Sequence, residues 1–339
     1  MTGADTAGGV ASPDDHARTR GDLVAAIDFG GTKTAVALAD GSGTLLARRS
    51  FDTPGGASHR RAEIVGAPDG LGPSGPAAAD LAVAAAVSAV DDLRAGRRLS
   101  GLGVVSPGIV TAGGIRLAPH VQEWESLRLP ALFEAAFPGV PAVLGNDVKA
   151  AALAESTIGE LRGADPGIFV NLGTGVAMAA VVAGRVLTGA HGWAGEVGYS
   201  PGVGPAGERA PVEQLVGGAA LQRLAAREGL PSTAALIDQG LADPALGRRI
   251  VASFDALADG LISWCLVIDP QRVVVSGGLL AASALWWDPV TARLAAALPD
   301  PPVLRRSAFG ADAALQGAVL LSLQAARSGA DEPVVDSSR

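Results

Sequence analysis

The sequence predicts an α/β protein of two domains built on one repeated topology, and three observations carry that prediction. The chain has 339 residues, too many for one ordinary core and about right for two. A strand–turn–strand–turn–strand pattern near its start returns roughly 143 residues later, and such self-similarity marks two units of one topology. In each half, helices and further strands follow the repeated unit, as layered α/β folds require.

The first copy occupies Val24–Arg49. An apolar run ends in Asp28, a small-residue turn follows at Gly30-Gly31-Thr32, and a second run spans Ala35–Ala39. Asp40-Gly41-Ser42-Gly43 then turns into a third. Adjacent glycines beside a threonine let backbone N–H groups approach a ligand closely, as phosphate-binding turns do. An acid at the end of the first strand can hold the cation that accompanies phosphates. After a Gly/Pro-rich loop over Thr53–Gly75, the pattern predicts a helix over Pro76–Arg94 and a strand over Gly101–Ser106. A loop (Thr111–Pro130), a helix (Ala131–Phe137), a strand (Val140–Leu144) and a helix from Val148 follow.

The second copy is Ile168–Gly189, with Gly173-Thr174-Gly175 as its turn. Beyond it, helices are predicted over Val212–Glu228, Thr233–Gln239 and about Gly247–Val267. Arg272–Val275 reads as a buried parallel strand ending in Ser276-Gly277-Gly278, and Asp312–Arg327 as the last helix. The expected partition is a smaller domain of residues 22–145 plus about 311–328 and a larger one of 146–310. Residues 1–21 and 329–339 read as disordered tails. Two facing domains, each with a Gly/Thr turn, suggest a nucleotide clamped in the cleft between them.

Composition narrows the function. Hydrophobic residues make up 48% of the chain, and all but two of its 26 Lys and Arg are Arg, the exceptions being Lys33 and Lys149. The formal net charge of −8 opposes non-specific nucleic-acid binding, which needs a basic face. The single cysteine, Cys265, excludes an internal disulfide and reads as a core residue. The polar start of the chain lacks a signal-peptide pattern, and no apolar stretch reads as long enough to span a membrane. A cytoplasmic protein is therefore expected. Gly202-x-Gly-x-x-Gly207 matches a dinucleotide fingerprint, but Pro205 interrupts it and no strand precedes it; the four histidines lack metal-ligand spacing.

Five stretches together resemble the ROK family (repressor, open reading frame, kinase) of bacterial sugar kinases and regulators. They are Ile27–Thr34, Gly145-Asn-Asp-Val-Lys-Ala-Ala-Ala-Leu-Ala-Glu155, Leu172–Gly175, Gly189-Ala-His-Gly-Trp-Ala-Gly-Glu-Val-Gly198 and Val275–Gly278. They lie in the family order and cover about 22–327. The resemblance implies a duplicated ribonuclease-H-like fold of actin/hexokinase type, with ATP in the inter-domain cleft, Mg²⁺, and a homodimer. It implies that Asn146 contacts a sugar and that Asp147 is the catalytic base. Glu196 and Glu213 are implied as further contacts to sugar hydroxyls. The family's histidine position is Tyr199 here, and the cysteines of the family's structural zinc site are missing from Gly202–Gly207, so no zinc is expected.

Simpler roles compete at each position. Asp147 suits an N-cap as well as a base, and a helix N-terminus favours its ionised form. Asp28 suits Mg²⁺, directly or through water, or a plain strand end. Thr32 and Thr174 suit phosphate contacts or ordinary β positions, and Lys33 a phosphate contact or a solvated edge strand. Gly277 and Gly278 suit close approach to adenosine or a strand-to-helix turn. Glu196 and Glu213 could be a solvated loop acid and a favoured helix-start acid. Tyr199 could touch substrate or pack; His191, near Glu196, could contact substrate, with loop packing the simpler role.

The function expected is ATP-dependent phosphorylation of a primary hydroxyl on a hexose or hexose-like ring, glucose by default. Tyr199 and the missing zinc loop make an amino sugar or a C7-cyclitol of secondary metabolism the main competitors. A sugar-responsive regulator is a separate class, disfavoured by the acidic charge and by the roughly 22 residues before the first strand, too few for a winged helix. A non-catalytic sugar-binding protein is disfavoured by the intact Asp28, Asp147 and both turns.

Overall fold

The computed structural model describes residues 23–54, 78–111, 114–118 and 123–328; the tails expected to be disordered, and most of the loop expected over Thr53–Gly75, lie outside them. The described chain divides into two compact units. The first holds residues 23–54, 78–104, 114–118, 123–144 and 319–328; the second holds 105–111 and 145–318.

The first unit is built on a five-stranded sheet of β1 (Leu23–Phe29), β2 (Lys33–Ala39), β3 (Leu45–Asp52), β4 (Leu99–Ser106) and β5 (Ala142–Asn146), in the order β3-β2-β1-β4-β5. Strands β1, β2 and β3 are antiparallel, with Asp28 opposite Ala35 and Lys33 opposite Asp52. Because β2 lies between β1 and β3, Lys33 is not on an edge strand as expected, although its side chain is exposed. Helix α1 (Ala78–Arg94) buries Ala79, Ala82, Val83, Ala86, Ala89 and Val90, the i, i+3, i+4, i+7 stripe of a helix packed on one face. Phe29 meets the Trp124 ring edge-on at 5.0 Å and Phe133 of α2 (Leu129–Ala136) at 6.3 Å.

The second unit contains β6 (Gly167–Leu172), β7 (Val176–Val182), β8 (Arg185–Val186), β11 (Arg272–Ser276) and β12 (Val303–Arg306), in the order β8-β7-β6-β11-β12. The order of elements therefore matches that of the first sheet: third, second, first, fourth, fifth. Alternation along the strands sends side chains to two cores. Ile168, Val170, Val273 and Val275 join the cluster around Phe254 and Trp286, whose rings stack at 5.1 Å, while Phe169 and Val274 face α3 (Asp147–Ile158) through Val148, Ala151 and Ala152. The alanines of α3 allow close packing: at Gly317 of α10 (Ala313–Ser328) a side chain would run into the Ala150 carbonyl.

Two expected long helices are each broken. The stretch predicted over Val212–Glu228 is α4 (Val212–Val216) and α5 (Gly218–Arg227), separated at Gly217, whose backbone is extended. After α6 (Thr233–Ala242), the predicted Gly247–Val267 helix is α7 (Pro244–Ser253) and α8 (Asp255–Ile268), meeting at Phe254. Taken together, Pro244–Ile268 is long and apolar enough to cross a membrane by length and composition alone, but it is two helices. Its apolarity has a core explanation, since Leu246, Ile250, Phe254, Leu257, Leu261 and Trp264 all pack into the cluster around Trp286 on α9 (Ser283–Ala297). Cys265 is buried in the same cluster, and burial beside Asp269 pushes its thiol up to about 11, leaving it protonated and inert.

Candidate active site

The site is built within the second unit, where β5 runs into α3. Asn146 has extended backbone, and its Oδ1 accepts from the Lys149 N–H at 3.0 Å, which makes it the N-cap. Its Nδ2 donates to the Gly108 carbonyl at 3.0 Å, so both ends of the amide are engaged. The capping role weighed for Asp147 thus falls to its neighbour, and Asp147 is the first helical residue. Its Oδ1 accepts from the Val148 N–H at 2.9 Å, and part of its surface stays accessible.

Burial pushes the Asp147 carboxyl up to about 7, and the charge of Glu196 adds to this; the Val148 N–H and Lys149 oppose it. Loss of water thus opposes, and outweighs, the pull of the helix N-terminus toward the ionised form.

A loop brings Glu196 to the same place. The Met178 N–H of β7 donates to the Gly195 carbonyl at 2.9 Å, and Gly195 has φ +91°, where any side chain would strike the Met178 carbonyl. Glycine is required there on both counts. Lys149 reaches over from α3: its Nζ donates to the Gly192 carbonyl at 3.0 Å and lies 3.8 Å from Glu196 Oε1. The latter separation is an ion pair, too long for a hydrogen bond. The two side chains are only 12% and 17% exposed. Burial pushes Glu196 above the usual carboxylate range, with Glu213 adding and Lys149 opposing. It pulls Lys149 below its usual range, against the pull of Glu196 and Asp147.

Glu213 in the first turn of α4 completes the group. A Cβ at Gly198 would lie 3.1 Å from its Oε2 and would also strike the Val176 carbonyl. Tyr199 ends the same short turn, its N–H donating to the Glu196 carbonyl at 3.3 Å, with the residue 43% exposed. His191 is exposed.

The Gly173-Thr174-Gly175 turn joins β6 to β7, the strand that holds the Glu196 loop. Its carbonyls are tied down: Gly218 N–H donates to Gly173 O at 2.9 Å and Ala219 N–H to Thr174 O at 3.3 Å. A Cβ at Gly217 would lie 2.7 Å from Thr174 O and one at Gly218 2.9 Å from Gly173 O. The α4–α5 break is therefore what seats the turn, and Thr174 itself is exposed. Gly277 has φ +102°, and a side chain there would strike Leu172 at the end of β6. At Gly278 a side chain would meet nothing within 4 Å, so its backbone faces open space.

In the first unit, Gly30 N–H donates to Lys33 O at 2.9 Å, and a Cβ on Gly30 would sit 2.6 Å from that oxygen. Thr53 clamps this turn: its Oγ1 donates to Gly30 O and its N–H to Thr32 O, both at 2.9 Å. A Cβ on Gly31 would meet nothing within 4 Å, Thr32 is exposed, and Asp28 is partly exposed on β1.

β9 (Pro201–Val203) and β10 (Arg209–Pro211) form a hairpin around the Gly202–Gly207 stretch. Gly204 N–H donates to Glu208 O at 2.8 Å and Ala206 N–H to Glu208 Oε2 at 3.0 Å, so a carboxylate organises the turn. Among the described residues no three His, Cys, Asp or Glu side chains group to hold a metal ion.

Sequence reasoning missed Lys149, Gly192, the Gly217-Gly218 doublet and Thr53. Lys149 carried a signal in its rarity among so many arginines; Thr53 carried none.

A two-unit α/β fold with this acidic cluster beside a Gly/Thr turn has the hexokinase-like architecture of sugar kinases and their relatives. The chain belongs to the ROK family, whose model matches residues 77–325. It is 27% identical over 295 residues to a glucokinase of Streptomyces coelicolor, covering 79% of this chain and 86% of that one. It is 28% identical over 270 residues to an N-acetylmannosamine kinase of Yersinia pestis, covering 75% and 82%. Among solved structures, a ROK hexokinase from Thermus thermophilus has a TM-score of 0.68 at 27% identity, over 90% of this chain and 99% of that one. The fold is shared with a Streptomyces griseus ROK glucokinase (TM-score 0.70, 24% identity, 89% and 99%). It is shared too with a ROK transcriptional regulator described as a homologue of an E. coli protein (0.72, 20%, 92% and 80%).

Proposed function

We propose that the chain is an ATP-dependent kinase that transfers the γ-phosphoryl group to a primary hydroxyl of a hexose or hexose-like ring. The observation that carries this reading is Asp147: an accessible acid at a helix start, pushed up to about 7 and grouped with Glu196 and Glu213. A base poised near neutrality suits proton removal from an alcohol. The relatives named as glucokinase and N-acetylmannosamine kinase support the substrate class, and the Streptomyces griseus structure, solved with glucose and AMPPNP, supports nucleotide use. In this reading the matching strand orders are two ribonuclease-H-like units.

Asp147 accepts the hydroxyl proton as the substrate oxygen forms its bond to the γ-phosphorus. The bond from that phosphorus to the β–γ bridging oxygen breaks, ADP leaves, and the proton passes from Asp147 to solvent. Glu196, Glu213 and Asn146 orient the ring, with Tyr199 at the position where a histidine would otherwise contact it. Gly173–Gly175 and Gly278 are the proposed nucleotide contacts carried by the second unit; Gly30–Thr32 with Lys33 are the proposed phosphate contacts carried by the first. The open space at Gly31 and Gly278 fits a ligand approaching backbone. Asp28 would hold Mg²⁺, directly or through water, with nucleotide phosphates completing its oxygen set; the bound ion would neutralise phosphate charge.

Tyr199 favours a second substrate within the same chemistry, an amino sugar or C7-cyclitol, because a phenol replaces an imidazole beside the ring. A coupled ADP-release screen over glucose, mannose, N-acetylated and amino hexoses and C7-cyclitols tests both, with Asp147→Asn as control. Turnover that no polyol stimulates, or a variant with full rate, defeats the kinase reading or its base. DNA binding at physiological salt would point instead to a regulator, and sugar binding without turnover to a non-catalytic receptor. The homodimer is checked by light scattering.

A further inference from the structure

Lys149 is an unusual occupant of its position. It lies in the first turn of α3, where the helix dipole disfavours a cation, and its side chain is mostly buried at 12% exposure, which costs a charged group water. In a chain that otherwise uses arginine almost throughout, a lysine here supplies a compact ammonium rather than a planar fork. Its Nζ donates to the Gly192 carbonyl at 3.0 Å and stands 3.8 Å from Glu196 Oε1. Gly192 has φ +77°, and a Cβ there would lie 2.8 Å from the Ile109 side chain. Asn146, next to Asp147, grips the adjacent Gly108 carbonyl. The start of α3 is thus fastened to the Glu196 loop through Lys149 and to Gly108 through Asn146, and Lys149 makes the link that carries charge.

We propose that Lys149 is a positioning residue: it ties the helix bearing Asp147 to the loop bearing Glu196 and sets a positive charge against their carboxylates. The proposal rests on the kinase reading for its consequence in turnover, but the tie and the charge belong to the protein itself. The charged groups facing the ammonium are Asp147 on its own helix and Glu196 on the loop, with Glu213 of α4 facing Glu196. Lys149 favours the ionised form of both neighbours, Asp147 as proton acceptor and Glu196 as hydrogen-bond acceptor for ring hydroxyls.

The test uses the full chain with Lys149→Met and Lys149→Gln. Carboxyl ¹³C NMR titration, assigned with Asp147→Asn and Glu196→Gln, reads the charge without needing turnover. Both variants are expected to move the Asp147 and Glu196 midpoints to higher pH. In steady-state kinetics with the polyol that the wild type phosphorylates, Lys149→Met should raise KM about tenfold, the order expected for losing a charge-assisted hydrogen bond. It should also shift the acidic limb of kcat/KM upward, while kcat at alkaline pH changes little. Lys149→Gln, which keeps a donor for Gly192, should show the pH shift with a smaller KM change; it serves alone if the methionine variant does not fold. Lys149→Arg should restore the midpoints. Unmoved midpoints with KM within about twofold of wild type overturn the proposal. Shifted midpoints in a protein that phosphorylates no polyol overturn the kinase reading and leave the charge coupling standing.

Discussion

Asp147 shows how one residue's surroundings outweigh its local position. A carboxylate at a helix start gains from the dipole by about 0.3–1 kcal/mol, whereas each unit of upward shift represents about 1.4 kcal/mol against the charged form. Its midpoint of about 7 predicts that kcat/KM falls about tenfold per pH unit below that value, as the base becomes protonated; a pH–rate profile of the wild type checks this. Asp147→Asn should lose about 10²–10⁴-fold in turnover. The same shift has a sign for stability. The folded carboxyl holds its proton up to about 7 while the unfolded one releases it near 3.8. Between those values the folded state binds more protons, so this group makes stability fall as pH rises. Asparagine avoids that cost and can still accept from the Val148 N–H. The Tm of Asp147→Asn should therefore exceed that of the wild type by more at about pH 8 than at about pH 5, measured by thermal unfolding. Asn146, Asp147, Glu196 and Glu213 were visible in the sequence through motifs; the direction of the Asp147 shift was not, because burial is set by tertiary packing.

The strands of both repeated units were legible within a few residues, since turn glycines and apolar runs are local features. Helix breaks were not, because they answer to distant backbone. The Val212–Arg227 stretch breaks at Gly217 to let Gly218 and Ala219 donate to the Gly173-Thr174-Gly175 turn. Gly277 ends β11 with φ +102° against Leu172, so Gly277→Ala should cost both a left-handed backbone and a steric clash. A loss of about 2 kcal/mol in urea unfolding is expected, with m unchanged. Asn146→Ala should cost about 1 kcal/mol through the lost cap of α3. It should raise the sugar KM as well, since the cap residue also grips Gly108.

At the scale of the molecule, the two sheets share one strand order, which the repeat of strand, Gly/Thr turn and strand anticipated. The Glu208-held hairpin and the chain's single cysteine predict that stability needs no zinc. A chelator should leave Tm unchanged while abolishing phosphotransfer, and Mg²⁺ alone should restore activity; Tm loss on chelation, or recovery that requires zinc, would contradict this. The sequence by itself determined the repeated topology and the two Gly/Thr turns, and it singled out the acids proposed for the site, because period, turn chemistry and motif are written in adjacent residues. Only the tertiary structure decided that Asn146 rather than Asp147 caps α3, that Gly217-Gly218 seats the Gly173–Gly175 turn, and that Lys149 meets Glu196. Those outcomes depend on burial and on hydrogen bonds between segments tens of residues apart, which no local pattern encodes.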